Sequence, residues 1–348
     1  MTKNNITSII SSKVVDRTML MIEQHENIVI TTHLSPDGDA LGSTLALYHF
    51  LKMKNKNVHI IVPNSFPYYL EWLNGADRII NYEHQTEEAN QLIKKANLLL
   101  SLDYNTPKRI GAMGDVFIKS DAKKILIDHH LDPGDCFDII ISHPAVSSTC
   151  ELVFRLLYQA NKYDIIDKTI AESIYCGMMT DTGGFTFNSN NPETYEIISL
   201  LLKKGINKDE IYSNVFHNFK EERLRLLGYI LSQRMKIYDE YNAALLWLSK
   251  EDQQQFKFVK GDTEGFVNYP LSIKGIIFSV FIREDKDLIK ISFRSQGKFP
   301  ANEFAGKYFN GGGHLNASGG EFHGTIEQAI ELFESGIEHY KETLKLNI

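Results

Sequence analysis

The stretch NIVITTHLSPDGDALGSTLALYHFLKMKNKNVHIIVP, residues 27–63, decides how this chain folds. Its two ends, NIVITTH (27–33) and NVHIIVP (57–63), are short, apolar and rich in β-branched residues, as strands are. Between them Leu41, Leu45, Leu47, Phe50 and Leu51 approximate the stripe of a helix. Strand, helix and strand in succession specify a parallel pair joined by a right-handed crossover. ANLLLSLDY (96–104) and KKILIDHH (123–130) add two strand candidates, so the expected class is α/β, an N-terminal parallel sheet with helices on both faces. Sheets of this kind gather their chemistry at the carboxyl ends of the strands. His33, Asp103, Asp128, His129 and His130 all fall there.

Downstream, STCELVFRLLYQAN (148–161), DKTIAESIYCGMMTDTG (167–183) and NPETYEIISLLLKKG (191–205) read as helices, with Gly205 a stop signal for the last. NFKEERLRLLGYILSQRMKIYD (218–239) is helical too and lacks the Gly/Ser or Pro tract of a flexible linker. The expected organisation is therefore a domain over 1–205, a helical connector over 206–235 and a smaller α/β domain over 236–348. KGIIFSVFIREDKDLIKISFRSQG (274–297) carries two alternating runs around a charged turn, the pattern of a hairpin. Phe278, Val280 and Ile282 point inward with Ile289, Ile291 and Phe293. By the same parity Ser279, Arg283, Lys290, Ser292 and Arg294 share the opposite face, which reads as a surface for anions.

At 348 residues, 43% hydrophobic and 23% charged, the chain has the composition of a folded protein with room for two cores. A formal net charge of −7 argues against broad duplex binding and leaves short nucleotides in play. Cys136, Cys150 and Cys176 are too few for a disulfide framework and have no C-x-x-C spacing, which points to buried, inert thiols in a reducing compartment. No targeting segment or membrane span is evident, so the expectation is a cytoplasmic protein without membrane contact.

The chemistry rests on four clusters. His33-x3-Asp37-x-Asp39 alone suits a metal ion and a capped turn into a helix equally well. SLDYN places Asp103 at a second strand end, and LIDHH places Asp128, His129 and His130 at a third. Three titratable groups there would compete for burial, so packing does not explain them. MTDTGGF contributes Asp181, followed by glycines that let the backbone bend closely around a ligand. Together His33, Asp37, Asp39, Asp103, His129 and Asp181 form a mixed carboxylate and imidazole set that fits two divalent ions. Mn²⁺ suits it most readily, with Mg²⁺, Co²⁺ and Zn²⁺ as alternatives. Two such ions can activate water and neutralise a phosphate. NGGGHLNASGG (310–320) by itself reads first as a turn; the alternative is that Gly311, Gly312 and Gly313 let backbone N–H groups approach an anion and that His314 then bonds to a substrate. Arg294, with Arg283 as its helper, offers a guanidinium for a terminal phosphate.

Taken in order, HLSPDGDALGS, LDYN, DHH, TDTGGF and GGGHLNASGG resemble the DHH/DHHA1 phosphoesterases. Length and motif spacing are similar to the members that hydrolyse short oligoribonucleotides and dephosphorylate 3′-phosphoadenosine 5′-phosphate. The resemblance covers nearly the whole chain. It implies a DHH catalytic domain over 1–205 and a DHHA1 substrate-binding domain over 236–348. His33, Asp37 and Asp103 would hold one ion; Asp39, Asp103, His129 and Asp181 would hold the other, with Asp103 bridging. His130 would contact the scissile phosphate or assist the leaving oxygen. Asp128 would orient the imidazoles, a strand-end cap being the alternative. The implied partners are short RNA oligonucleotides and small nucleotides rather than a long duplex, with a homodimer through the N-terminal domain. Inorganic pyrophosphatase and a catalytically silent nucleotide sensor are the competing functions.

Overall fold

The computed structural model describes residues 6–346, so the outermost residues of the expected domains, 1–5 and 347–348, lie outside the described residues. The chain forms two compact units, Met1–Asn218 and Phe219–Ile348. In the first, β1 (Asn27–Thr31), β2 (Asn57–Val62), β3 (Ile80–Asn81), β4 (Leu98–Leu102), β5 (Lys123–Asp128) and β6 (Ile139–Ser142) make one sheet. The order is β3-β2-β1-β4-β5-β6 and every pairing is parallel. The chain builds outward from β1 to β3, returns to β4 beside β1, and builds outward again to β6. The direction of winding therefore reverses between β1 and β4, and the crevice beyond their carboxyl ends is where such sheets place ligands.

Helices α1 (Ser12–Gln24), α2 (Gly38–Met53), α3 (Thr86–Lys95), α4 (Met113–Ile118), α5 (Thr149–Gln159), α6 (Lys168–Asp181), α7 (Pro192–Leu202) and α8 (Lys208–Phe216) flank the sheet. Val29, Ile61 and Leu99 on one face pack with Ala89 and Ile93 of α3 and with Met113 and Phe117 of α4. The other face carries α2 and α5. The stripe expected of α2 understates its burial: every residue from Gly38 to Tyr48 is buried, because α6 crosses its outer side. Glycine allows that crossing. A Cβ at Gly42 would sit 2.4 Å from the backbone oxygen of Ser173, and one at Gly177 would sit 2.2 Å from Cys150 Sγ. Strands β3 and β6 carry no periodic signature, since two and four residues are too short to show one.

In the second unit, β7 (Met235–Tyr238), β8 (Ala243–Leu248), β9 (Phe278–Glu284), β10 (Ile289–Ser295), β11 (Gly312–His314) and β12 (Ala317–Phe322) form a mixed sheet in the order β11-β12-β10-β9-β8-β7. Helices α9 (Glu221–Gln233), α10 (Lys250–Gln255), α11 (Ala301–Tyr308), α12 (Ile326–Glu338) and α13 (Lys341–Leu346) accompany it. The hairpin is β9 and β10, with Val280 opposite Phe293 and Ile282 opposite Ile291, all four buried against Phe304 of α11 and Phe333 of α12.

Two expectations change here. The opposite face of the hairpin is covered over part of its area rather than open throughout. Phe281, Leu246 and Leu248 meet Leu226, Leu227 and Ile230 of α9 and Phe266 in a second core, and Ser279 is fully buried. Parity tells which residues share a face and is silent on what covers it. Residues 206–235 are also not one connector: α8 buries Ile211 and Val215 within the first unit, whereas α9 belongs to the second. Among the described residues, no helix is long and apolar enough to cross a membrane.

Candidate metal centre

The six carboxylate and imidazole residues converge because each leaves the same end of the first sheet or an adjoining helix. His33 follows β1, Asp103 follows β4, Asp128 ends β5 with His129 and His130 directly after it, and Asp181 ends α6. Asp37 is the N-cap of α2: its Oδ1 accepts hydrogen bonds from the amides of Asp39 (3.0 Å) and Ala40 (3.0 Å). The cap and metal readings of this turn are thus compatible. The capping oxygen Oδ1 is itself the one 3.9 Å from His33 Nε2, and the carboxylate stays half-exposed.

Asp103 sits between two groups of donors. Its Oδ2 lies 3.3 Å from His33 Nε2, and its Oδ1 lies 3.6 Å from His129 Nε2 and 3.8 Å from His130 Nδ1. His129 Nε2 is in turn 3.4 Å from Asp181 Oδ2 and 3.9 Å from Asp39 Oδ2. The potential ligand atoms of His33, Asp37 and Asp103 lie within 4.8 Å of one another, as do those of Asp39, His129 and Asp181. Asp103 also has a left-handed backbone, φ +64°, a conformation that aspartate and asparagine tolerate better than most residues.

The charges in this cluster call for a cation. Burial and the neighbouring Asp181 carboxylate push Asp39 up to about 7. Burial, then Asp39, Asp37 and Asp181, hold Asp103 well above the usual carboxylate range. His33 Nδ1 is 2.8 Å from the carbonyl oxygen of Leu34, so the proton of the neutral ring, favoured by burial, lies on Nδ1 and the Nε2 lone pair faces Asp37 and Asp103. The His33 Nε2 lone pair and Asp103 Oδ2, 3.3 Å apart, are joined either by a proton on the carboxyl or by a metal ion between them. The donor set, oxygen and imidazole nitrogen without thiolate, suits a divalent metal ion.

His130 is held differently. Its Nδ1 lies 2.7 Å from Asp128 Oδ1. Burial alone would raise Asp128, but the hydrogen bond from His130 and the two imidazoles lower it, while burial takes His130 down to about 4. An ionised Asp128 can only accept, so the His130 proton is on Nδ1 and Nε2 carries the lone pair.

The sequence reading missed the contribution of α5. Both Asp39 oxygens accept backbone amide hydrogen bonds from its first turn, from Thr149 N to Oδ2 at 2.7 Å and from Cys150 N to Oδ1 at 2.8 Å, and the Thr149 hydroxyl donates to Asp103 Oδ1 at 3.0 Å. The one local signal was Ser148, which caps α5 by accepting from Glu151 N. Asn105 and Arg109 act as loop ties: Asn105 Nδ2 donates to Leu131 O at 2.7 Å, and Arg109 O accepts from Leu34 N at 2.8 Å. Cys150 and Cys176 are buried, with thiols raised by burial; Cys136 is partly exposed.

The second unit separates its candidate residues. Arg294 on β10 and His314 on β11 both pair with Ala317 of β12, which puts all three in one row on one face of the sheet. Arg283 pairs with Lys290 instead, four residues and roughly 13 Å along the strands. Its guanidinium is engaged by Thr263 Oγ1 at 2.9 Å and Asp285 at 3.5 Å, over the ring of Phe258. Gly312 and Gly313 lie in the edge strand β11, so that the glycine segment is partly strand rather than a free loop. Gly311 is required for close approach, since a Cβ there would sit 2.1 Å from the carbonyl oxygen of Gly319.

Comparison with known proteins matches residues 27–178 to the family model of the DHH family, N-terminal domain, and residues 244–341 to that of the DHHA1 domain. Two bifunctional oligoribonuclease and PAP phosphatase NrnA proteins are similar. That of Thermus thermophilus is 28% identical over 87% of this chain and 87% of its own, and that of Bacillus subtilis is 27% identical over 86% and 90%. The crystal structure of an exopolyphosphatase-related protein from Bacteroides fragilis shares 54% identity, with a TM-score of 0.93 over 98% of this chain and all of the other. RecJ from Thermus thermophilus in complex with Mn²⁺ shares the fold at 14% identity, with a TM-score of 0.58 over 98% of this chain and 56% of its own.

Proposed function

The chain belongs to the DHH/DHHA1 family of phosphoesterases, metal-dependent hydrolases, and from that premise we propose that it hydrolyses short oligoribonucleotides, linear dinucleotides included, to mononucleotides, and 3′-phosphoadenosine 5′-phosphate to AMP. The observation that carries the reading is the attitude of Asp103, one oxygen toward His33 and Asp37 and the other toward His129. In this reading His33, Asp37 and Asp103 hold one divalent ion and Asp39, Asp103, His129 and Asp181 a second, Mn²⁺ being the best match. Such ions, when bound, supply Lewis acidity and a nucleophile at neutral pH. Asp128 keeps the His130 proton on Nδ1, so that Nε2 can take a proton from the attacking water and then give it to the leaving oxygen. Arg294 and His314, in one row of the second sheet, take the terminal phosphate and the nucleotide. The relatives named for oligoribonuclease and PAP phosphatase activity support this substrate class.

The test is a product time course with Mn²⁺ on an RNA dinucleotide, a long single-stranded RNA, 3′-phosphoadenosine 5′-phosphate and pyrophosphate. Rapid loss of the dinucleotide with slow loss of the long RNA is expected, together with AMP from the third substrate. Cleavage of pyrophosphate alone would replace this reading with a pyrophosphatase, and no turnover of any substrate would favour a silent sensor. Arg294→Ala is expected to raise KM for a 5′-phosphorylated dinucleotide roughly tenfold to a hundredfold, the worth of a charged hydrogen bond, with a smaller change in kcat. An unchanged KM removes Arg294 from the substrate site.

A further inference from the structure

We propose that Thr149 is a positioning residue of the metal centre, its hydroxyl setting the rotation of Asp103 while its own amide holds Asp39. The inference rests on the metal reading above. A carboxylate that serves two ions must present one oxygen to each, yet the terminal torsion of an aspartate is broad and offers little resistance to turning. Charge repulsion makes the problem worse, because Asp103 has Asp39, Asp37 and Asp181 around it. Thr149 answers it with a directed donor: Oγ1 is 3.0 Å from Asp103 Oδ1, the oxygen on the His129 side, and leaves Oδ2 to the His33 side.

The donor is well placed to hold a direction. Thr149 is fully buried, so its hydroxyl has no bulk water to turn to, and its β-branched side chain is restricted about χ1 at the start of a helix. The backbone beneath it is pinned. Glu151 Oε2 accepts from the amide and hydroxyl of Ser147 at 3.0 and 2.6 Å. Its other oxygen pairs with Arg155 Nε at 2.8 Å, and Arg155, 1% exposed, also pairs with Glu193 at 2.9 Å. A single residue on this fixed turn therefore touches two carboxylates that come from different elements. Its amide reaches Asp39 of α2, and its hydroxyl reaches Asp103 after β4.

The two halves can be separated by mutation, since Thr149→Val removes the hydroxyl and keeps shape and amide. Calorimetric titration of the full metal-free chain with Mn²⁺ is expected to show affinity weakened tenfold to a hundredfold in Thr149→Val, the range for losing a group that orients a ligand, and restored in Thr149→Ser. A purely structural role would lower the melting temperature and leave the Mn²⁺ affinity of the folded protein unchanged. Wild-type affinity in Thr149→Val, or equal weakness in Thr149→Ser, would overturn the proposal. Should the valine variant not fold, Thr149→Ala takes its place with the same two outcomes. Asp103→Asn is titrated alongside. Weakened binding there with normal binding in Thr149→Val refutes only the role of Thr149, whereas normal binding in both refutes the metal reading itself.

Discussion

Asp103→Asn is expected to lower turnover of a dinucleotide roughly 10³-fold or more, with Mn²⁺ affinity falling in parallel and the melting temperature of the metal-free protein no lower than that of the wild type. The substitution is nearly isosteric, and asparagine accepts the left-handed backbone at this position as aspartate does. It relieves the metal-free fold of a carboxyl whose ionised form is disfavoured by burial and by Asp39, Asp37 and Asp181 around it. On the proposed reading of Asp103 as a ligand shared by two ions, its loss forfeits several kcal/mol of transition-state stabilisation, at about 1.4 kcal/mol per tenfold. The unchanged or raised melting temperature follows from that relief. A residue retained for packing would show the reverse, a lower melting temperature with turnover largely kept. Activity and thermal melts with and without Mn²⁺ separate the two.

Gly42→Ala is expected to destabilise the first unit by about 2 kcal/mol, which for a domain of this size is a fall of roughly 4–8 °C in Tm. Helix propensity alone argues the other way, since alanine in a helix interior is favoured over glycine by about 1 kcal/mol. Sterics decide the sign. The new methyl would lie 2.4 Å from the backbone oxygen of Ser173 and 2.9 Å from Cys150 Sγ, and α6 cannot yield without moving Gly177, which packs against Asp39. The same displacement should weaken Mn²⁺ binding, because Asp39 sits one turn before Gly42 in α2. A raised Tm on a thermal melt would mean that the crossing of α2 and α6 is looser than these distances say.

Much of the centre was legible in the chain because two local rules act together. Apolar runs of strand length mark where strands stop, and a parallel sheet brings those carboxyl ends to one edge, so His33, Asp103, Asp128 and His129 could be placed together before any contact was known. Asp181 joined them as the end of a helix packed on α2. Thr149 was not legible. Its hydrogen bonds reach back 110 residues to Asp39 and 46 to Asp103, and nothing in STCEL distinguishes a hydroxyl turned toward a carboxylate from one that caps a helix. Arg283 shows the complementary failure. Strand alternation assigned it correctly to the face of Arg294, and the covering by α9, with Asp285 and Thr263 on the guanidinium, depends on elements distant in sequence.

The α/β class, the hairpin of the second unit and the carboxylate and imidazole side chains that converge at the end of the first sheet are all readable in the chain, because each follows from periodicity and from what residues stand at the ends of periodic runs. Tertiary structure alone decided the rest. It set which Asp103 oxygen faces which imidazole, put the amides of α5 on Asp39, and made α2 a wholly buried helix at a glycine crossing. These are matters of direction at the scale of one hydrogen bond. Such directions arise only when segments far apart in the chain pack against each other, which a local pattern does not encode.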